Sequence, residues 1–150
     1  MKNKIIFDTL DEVLSTHGYK KKKYTWHIKC NNITKIVVLQ KSSYGEYYFV
    51  NYGFIIESIP LDNLEMHIFH GLGSVNRNEN SRIKELLDTE NTIFPEARIL
   101  ELKKIFLEKL LVDLDTTNSE QDILNQLKQR NHLNDIPIIV KKHFNLNDAN

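Results

Sequence analysis

An α+β fold is predicted: an antiparallel meander of three to four strands, with an N-terminal helix and a C-terminal helical half packed on the sheet. Three observations lead there. Residues 24–57 read as three consecutive strands broken by Asn31-Asn32 and by Ser42-Ser43-Tyr44-Gly45. Apolar residues recur at helical spacing over 3–17 and again over 95–114. The chain has 150 residues, 41% hydrophobic and 27% charged, ordinary usage for one domain. It is therefore read as a single domain over 1–150, with helix and sheet in 1–75 and a mainly helical 76–150.

The first helix, residues 3–17, sets Ile5, Ile6, Leu10, Val13 and Leu14 on one face and acids on the other. Gly18 is placed to end it in a left-handed cap. Lys20, Lys21, Lys22 and Lys23 follow as a solvated connection; a phosphate or nucleic-acid patch is the sharper alternative. Tyr24, Trp26, Ile28 and Cys30 alternate with Thr25, His27 and Lys29, which puts the even positions in the core. Trp26 is expected to be buried against the helix at 95–114. Asn31-Asn32 suits a tight hairpin. The strand at 33–41 contains Ile36-Val37-Val38-Leu39, apolar on both faces and so covered at least in part on both. Gly45 is expected to supply a positive backbone angle to the next turn.

The third strand, 46–57, is long and aromatic. Gly53 within it predicts a bulge at 51–53 or a large side chain lying over the glycine, with Trp26 as one candidate. After a loop around Pro60, residues 66–75 form an irregular fourth strand, and 76–80 a polar loop. Ser81 is expected to cap a short helix to Asp88, with Ile83, Leu86 and Leu87 inward. In the helix at 95–114, Pro95 occupies the first turn. One stripe is Ile99, Leu102, Phe106 and Leu110, and a second is Leu100, Leu107, Leu111 and Leu114. Ser119-x-x-Asp122 resembles a capping box for a helix through Arg130. In 136–144, Pro137 at a first helical position favours helix, and Ile138-Ile139-Val140 favours strand; helix is the preferred reading.

Net charge is zero but unevenly spread: residues 1–45 hold nine lysines against three acids, and residues 46–120 hold seven basic residues against fourteen acids. The zero total argues against a general nucleic-acid binder. The opening Met1-Lys2-Asn3-Lys4 begins like a signal peptide, but Asp8, Asp11 and Glu12 interrupt its apolar core. No apolar run approaches the ~18 residues of a membrane span, so no membrane association is expected. Cys30 is the only cysteine. That excludes an intrachain disulfide and fits a reducing compartment, so a cytoplasmic location is expected.

The order of helix, Trp26, a strand closing on Gln40-Lys41-Ser42, and Tyr47-Tyr48-Phe49-Val50-Asn51-Tyr52-Gly53 resembles a bacterial family described as domain of unknown function 4304 (DUF4304). The match continues at His67-Ile68; where members commonly carry an arginine before Leu-Gly, this chain has Gly71. The resemblance covers residues 1 to about 75 well, and the helical half by pattern. It implies a small α+β domain. Similar small bacterial domains often accompany toxin systems as immunity proteins, which suggests a toxin as a protein partner.

Catalytic patterns are weak. His67 and His70, with Glu65 nearby, would lie on opposite faces of a strand. No His-Glu-x-x-His or cysteine pair exists, so no metal is expected. A hydrolase-like site at these three residues is the least favoured reading. His27 falls on the face opposite Cys30, and Ser42, Ser43 and Ser74 lack a nucleophile elbow. Gly71-Leu72-Gly73 lacks the remainder of a phosphate loop, so no cofactor is expected. The constellation that suits an interface is Gln40, Lys41, Ser42, Tyr44, Tyr47 and Asn51 around the second turn, because Tyr and Asn offer apolar area with polar tips. The leading expectation is a non-catalytic protein-binding module. The alternative is a nucleic-acid-binding domain using Lys20, Lys21, Lys22, Lys23 and Lys29.

Overall fold

A computed structural model describes residues 4–146. The first three residues of the signal-like opening lie outside the described residues. Helix α1 (Lys4–Thr16) leads into strands β1 (Lys20–Lys22), β2 (Thr25–Cys30), β3 (Ile33–Lys41), β4 (Tyr48–Ile56) and β5 (Ile68–Gly71). Every neighbouring pair is antiparallel, in the order β1-β2-β3-β4-β5. The α+β meander is therefore present, with five strands rather than three or four. The added strand is β1. Three exposed lysines carry no apolar alternation, so only backbone pairing with residues 25–27 makes it a strand.

The turns follow the local chemistry in part. Gly18 has φ +91°, and Asn31 has φ 56° between β2 and β3. Gly45 does not adopt a positive angle; there the glycine provides space, since a Cβ would lie 3.0 Å from the Tyr47 ring. Gly53 shows no bulge, and the side chain lying over it is Met66 and not Trp26. The pairing of Gly53 to Ile36 and Phe69 is regular, and a Cβ would meet the Ile68 carbonyl oxygen at 1.7 Å and the Met66 sulfur at 2.7 Å. The glycine lets β5 and Met66 close onto β4.

Helices reach the sheet on one face. Trp26 is fully buried, and its indole N–H donates to Asp11 of α1 at 2.8 Å while Phe7 packs on the ring at 5.4 Å. Trp26 is thus tied to α1, and it shares the buried core cluster with Leu102, Phe106 and Leu110 of the 95–114 segment. Tyr24 precedes β2 and is half-exposed instead of core-facing. The opposite sheet face carries Lys20, Lys22, Lys29, His27, Phe49 and Phe69 and is left largely to solvent. On this face Ile36 is buried and Val38 half-buried, so the partial cover expected of β3 is present.

Helix α2 (Arg77–Leu86) starts earlier than expected. Its cap is Asn76, whose side chain accepts from the Glu79 N–H, and residues expected as a polar loop form its first turn. Ile83, Leu86 and Leu87 are buried as expected. Helix α3 (Pro95–Ile105) runs through a π turn at Phe106–Leu110 into α4 (Leu111–Asp115). The Leu111 N–H bonds to the Phe106 carbonyl, the five-residue step of a π turn. Buried positions at 98, 102, 106 and 110 each lie four apart and would drift around a regular helix by about 40° per step. The wide turn resets that drift. Of the second expected stripe, Leu111 and Leu114 are buried, but Leu100 and Leu107 are exposed, at 72% and 43%. Ser119 caps α5 (Glu120–Lys128) by accepting from the Asp122 N–H. Residues 138–143 form α6 (Ile138–His143), with Pro137 as its cap residue. No helix among the described residues is long and apolar enough to cross a membrane.

Candidate functional site

Strand β5 has four residues and ends at Gly71, opposite Asn51. Beyond that point β4 has no strand partner on this side. Leu72 N–H bonds to the Val50 carbonyl, and the segment after α2 takes over further along: Tyr48 N–H to Leu87 O and Thr89 N–H to Glu46 O, each 2.9 Å. Between the two replacements lies a cavity of about 450 Å³, lined mainly by apolar groups including Val50, Leu72, Ile83 and Leu87. Tyr47, Phe49 and Asn51 lie on its β4 side, and Lys84, Glu85 and Asp88 on its helical side.

The turn constellation divides here. The Asn51 side-chain amide donates to Gln40 Oε1 at 2.8 Å, and Asn51 is buried, so this pair ties β3 to β4. Ser42 is also buried. Its hydroxyl accepts from the Tyr44 N–H, and its own N–H donates to Tyr47 O. Lys41 reaches Gly45 O at 3.4 Å and Glu46 at 3.6 Å. These four residues build the turn. Tyr44 is 92% exposed and Phe49 45%, and the Tyr47 ring meets Phe49 edge-on at 5.5 Å. Three aromatic groups thus stand at the turn and the cavity mouth.

The lysine group also divides. Lys20, Lys22 and Lys29 share the open sheet face, whereas Lys21 turns to α1, 3.9 Å from Asp11 and over the Phe7 ring. Lys23 sits in the turn with φ 58°. Trp26 is buried and bonded, so it offers no stacking surface to a base.

His67 is buried. Nδ1 accepts from the Ile56 N–H at 2.8 Å, and Nε2 lies 2.9 Å from the Pro60 carbonyl, to which its proton donates. The ring is held as a neutral tautomer that pins the 57–66 loop to β4. With both nitrogens occupied, it has no lone pair for a metal or a proton transfer. Its bonds go to backbone atoms, which no residue pattern announces. Glu65 is exposed beside it. Cys30 and His27 lie on opposite sheet faces, as the alternation predicts; Cys30 is half-buried, its sulfur 3.4 Å from the Asn118 carbonyl.

His70 lies elsewhere, stacked on Tyr52 at 5.4 Å with Phe54 edge-on to it at 6.3 Å. Tyr52 donates its hydroxyl proton to Asp113 at 2.6 Å. Burial and the Asp113 carboxylate together push the Tyr52 hydroxyl well above the usual tyrosine range. Burial lowers His70, with Arg130 adding to the effect and Asp113 and Asp135 opposing it. These groups line a second cavity of about 220 Å³ with Thr116, Thr117 and Gln126. Tyr52 and Asp113 lie 61 residues apart, so no local pattern joins them.

The family described as Domain of unknown function (DUF4304) matches residues 10–132, reaching well into the helical half beyond the first 75 residues. Neither a curated protein nor a solved structure matches this chain.

Proposed function

The chain belongs to the DUF4304 family, and on that premise we propose that it is a non-catalytic protein-binding module that docks its partner at the cavity where β5 stops short. The observation that carries this reading is the pairing of an apolar cavity of about 450 Å³ with Phe49 exposed on its lining and Tyr44 exposed in the turn that leads into β4. An apolar recess with aromatic groups and a polar rim suits an inserted apolar or aromatic side chain of a protein loop. The turn beneath is fixed by Gln40–Asn51 and Ser42, so little ordering cost falls on binding. Support for a non-catalytic role comes from His67, occupied at both nitrogens, and from Cys30 and His27, which face apart.

In its narrower form the proposal is an immunity protein whose partner is a toxin encoded beside it. Co-expression should rescue cells from that toxin, and Phe49→Asp should abolish rescue while the purified variant keeps the wild-type circular dichroism spectrum. Rescue that survives Phe49→Asp removes the docking site; a neighbourhood holding only metabolic genes counts against the toxin. One observation favours the nucleic-acid alternative, namely that Lys20, Lys22 and Lys29 share an uncovered face. Retention of RNA on filters at low salt, falling steeply as salt rises, would support it.

A further inference from the structure

We propose that the cavity between β4, β5 and the α4–α5 corner is a binding site for an organic cation, a primary ammonium or a guanidinium. The inference concerns a different cavity and does not depend on the docking reading above.

Its floor is aromatic and its rim polar. Tyr52 and Phe54 are buried beneath, His70 lies across them, and Asp113, Thr116 and Gln126 are exposed at the mouth. The space, about 220 Å³, equals roughly seven waters at ~30 Å³ each. A guanidinium or an ammonium on a short stem fits such a space.

The chemistry of the rim selects the sign. Most donors are already spent on neighbours. Tyr52 O–H goes to Asp113, Thr116 O–H to the Asp113 carbonyl at 2.6 Å, and the Gln126 amide to Thr117 Oγ1 at 2.8 Å. Facing the space are the second Asp113 oxygen and the Gln126 carbonyl as acceptors, beside the His70 ring and the Thr117 hydroxyl. A ligand that brings donors can bond to both acceptors. Charge agrees. Arg130 is held by Asp135 at 2.9 Å, which leaves Asp113 as the carboxylate facing the cavity without a basic partner among the described residues. An ammonium or guanidinium would place its N–H groups on Asp113 and Gln126 and its stem against the His70, Tyr52 and Phe54 rings that line the space. The π turn contributes to the placement. By returning Leu110 and Leu114 to the core, it leaves Asp113 on the flank that faces Tyr52.

The test is an NMR titration of the full chain, following the His70 and Tyr52 ring signals. Methylguanidinium chloride and n-butylammonium chloride are the probes, with potassium acetate for the opposite charge. Saturable shifts with a cation and none with acetate are expected, weakened roughly tenfold or more by Asp113→Asn. Gln126→Met, an exposed change, should weaken binding as well and serves if Asp113→Asn does not fold. End-blocked Gly-Arg-Gly and Gly-Lys-Gly distinguish the source. Binding at least as tight as the free ion points to a side chain of a protein, and exclusion of the peptides points to a small amine. No saturable shift with any cation, stronger binding of acetate, or unchanged affinity in both variants would overturn the assignment.

Discussion

At Gly53 the closure of β5 onto β4 depends on one missing atom. A Cβ there would stand 1.7 Å from the Ile68 carbonyl oxygen, a backbone atom that cannot rotate aside. Gly53→Val should therefore cost at least about 2 kcal/mol, although valine suits a strand better than glycine. Urea unfolding reads this directly, and a raised midpoint at unchanged slope would defeat it. His70 yields a prediction with a sign. Its folded pKa lies below the ordinary value because burial, with Arg130, disfavours the charged ring against the pull of Asp113 and Asp135. The unfolded chain therefore binds the extra proton first as pH falls below about 6.5. Stability from this group is full above that pH and is lost down through the folded pKa. His70→Gln should flatten that part of the stability profile, and equal slopes for variant and wild type would show the ring to be unperturbed. At this scale the sequence was informative where a side chain answers to its own neighbours. The alternation around Trp26 announced its burial, and a glycine between aromatics announced crowding. The Ile56 and Pro60 partners of His67 are backbone atoms brought close only by folding, so its spacing to His70 suggested chemistry that the ring cannot perform.

Elements were legible in proportion to their apolar period. The alternation of β2 and the Asn31 turn placed the first hairpin, and Ser119 with Asp122 placed the start of α5. Strand β1 has no period to read, being three exposed lysines held by pairing. The start of α2 did have a signal, Asn76-x-x-Glu79, the spacing of a capping box, within a stretch too polar to show a face. The π turn also left a trace in the four-residue spacing of Leu102, Phe106 and Leu110. Arg98 shows how elements are joined beyond any period. It is buried on α3, donates to the Leu86 carbonyl, and reaches the Asn91 carbonyl at 2.7 Å. Burial lowers its pKa, with Asp88 opposing the shift. One guanidinium thus closes the end of α2 and the following loop onto α3. Arg98→Met should cost about 1–3 kcal/mol by leaving the Leu86 carbonyl unpaired and the Asn91 carbonyl with the Ile93 N–H alone. Arg98→Lys should recover only part of that, since a point charge cannot span both. Urea unfolding gives the cost, and limited proteolysis should cut first within residues 87–94. Full recovery by lysine would show that charge alone matters.

Across the whole molecule, the helices gather on one face of the sheet and leave the other face, one strand end and the second turn to solvent. Under the docking proposal, stability and recognition rest on different residues. The core is built from Trp26, Phe54, Phe106 and the aliphatic rows, all buried. Tyr44 and Phe49 keep 92% and 45% of their surface exposed, so the fold gains little from either. Large exposed aromatics that add little to stability mark an interaction site more often than scattered small apolar residues do. The double variant Tyr44→Ser, Phe49→Ser should unfold within about 1 kcal/mol of the wild type. On the docking proposal it should nevertheless fail to rescue cells from the toxin. Urea unfolding and the co-expression rescue measure the two quantities separately. A large loss of stability would place these rings in the structural set, with the Tyr47–Phe49 contact as its origin. Unchanged stability with unchanged rescue would move the docking surface away from this end of β4, toward the open face that carries Lys20, Lys22 and Lys29.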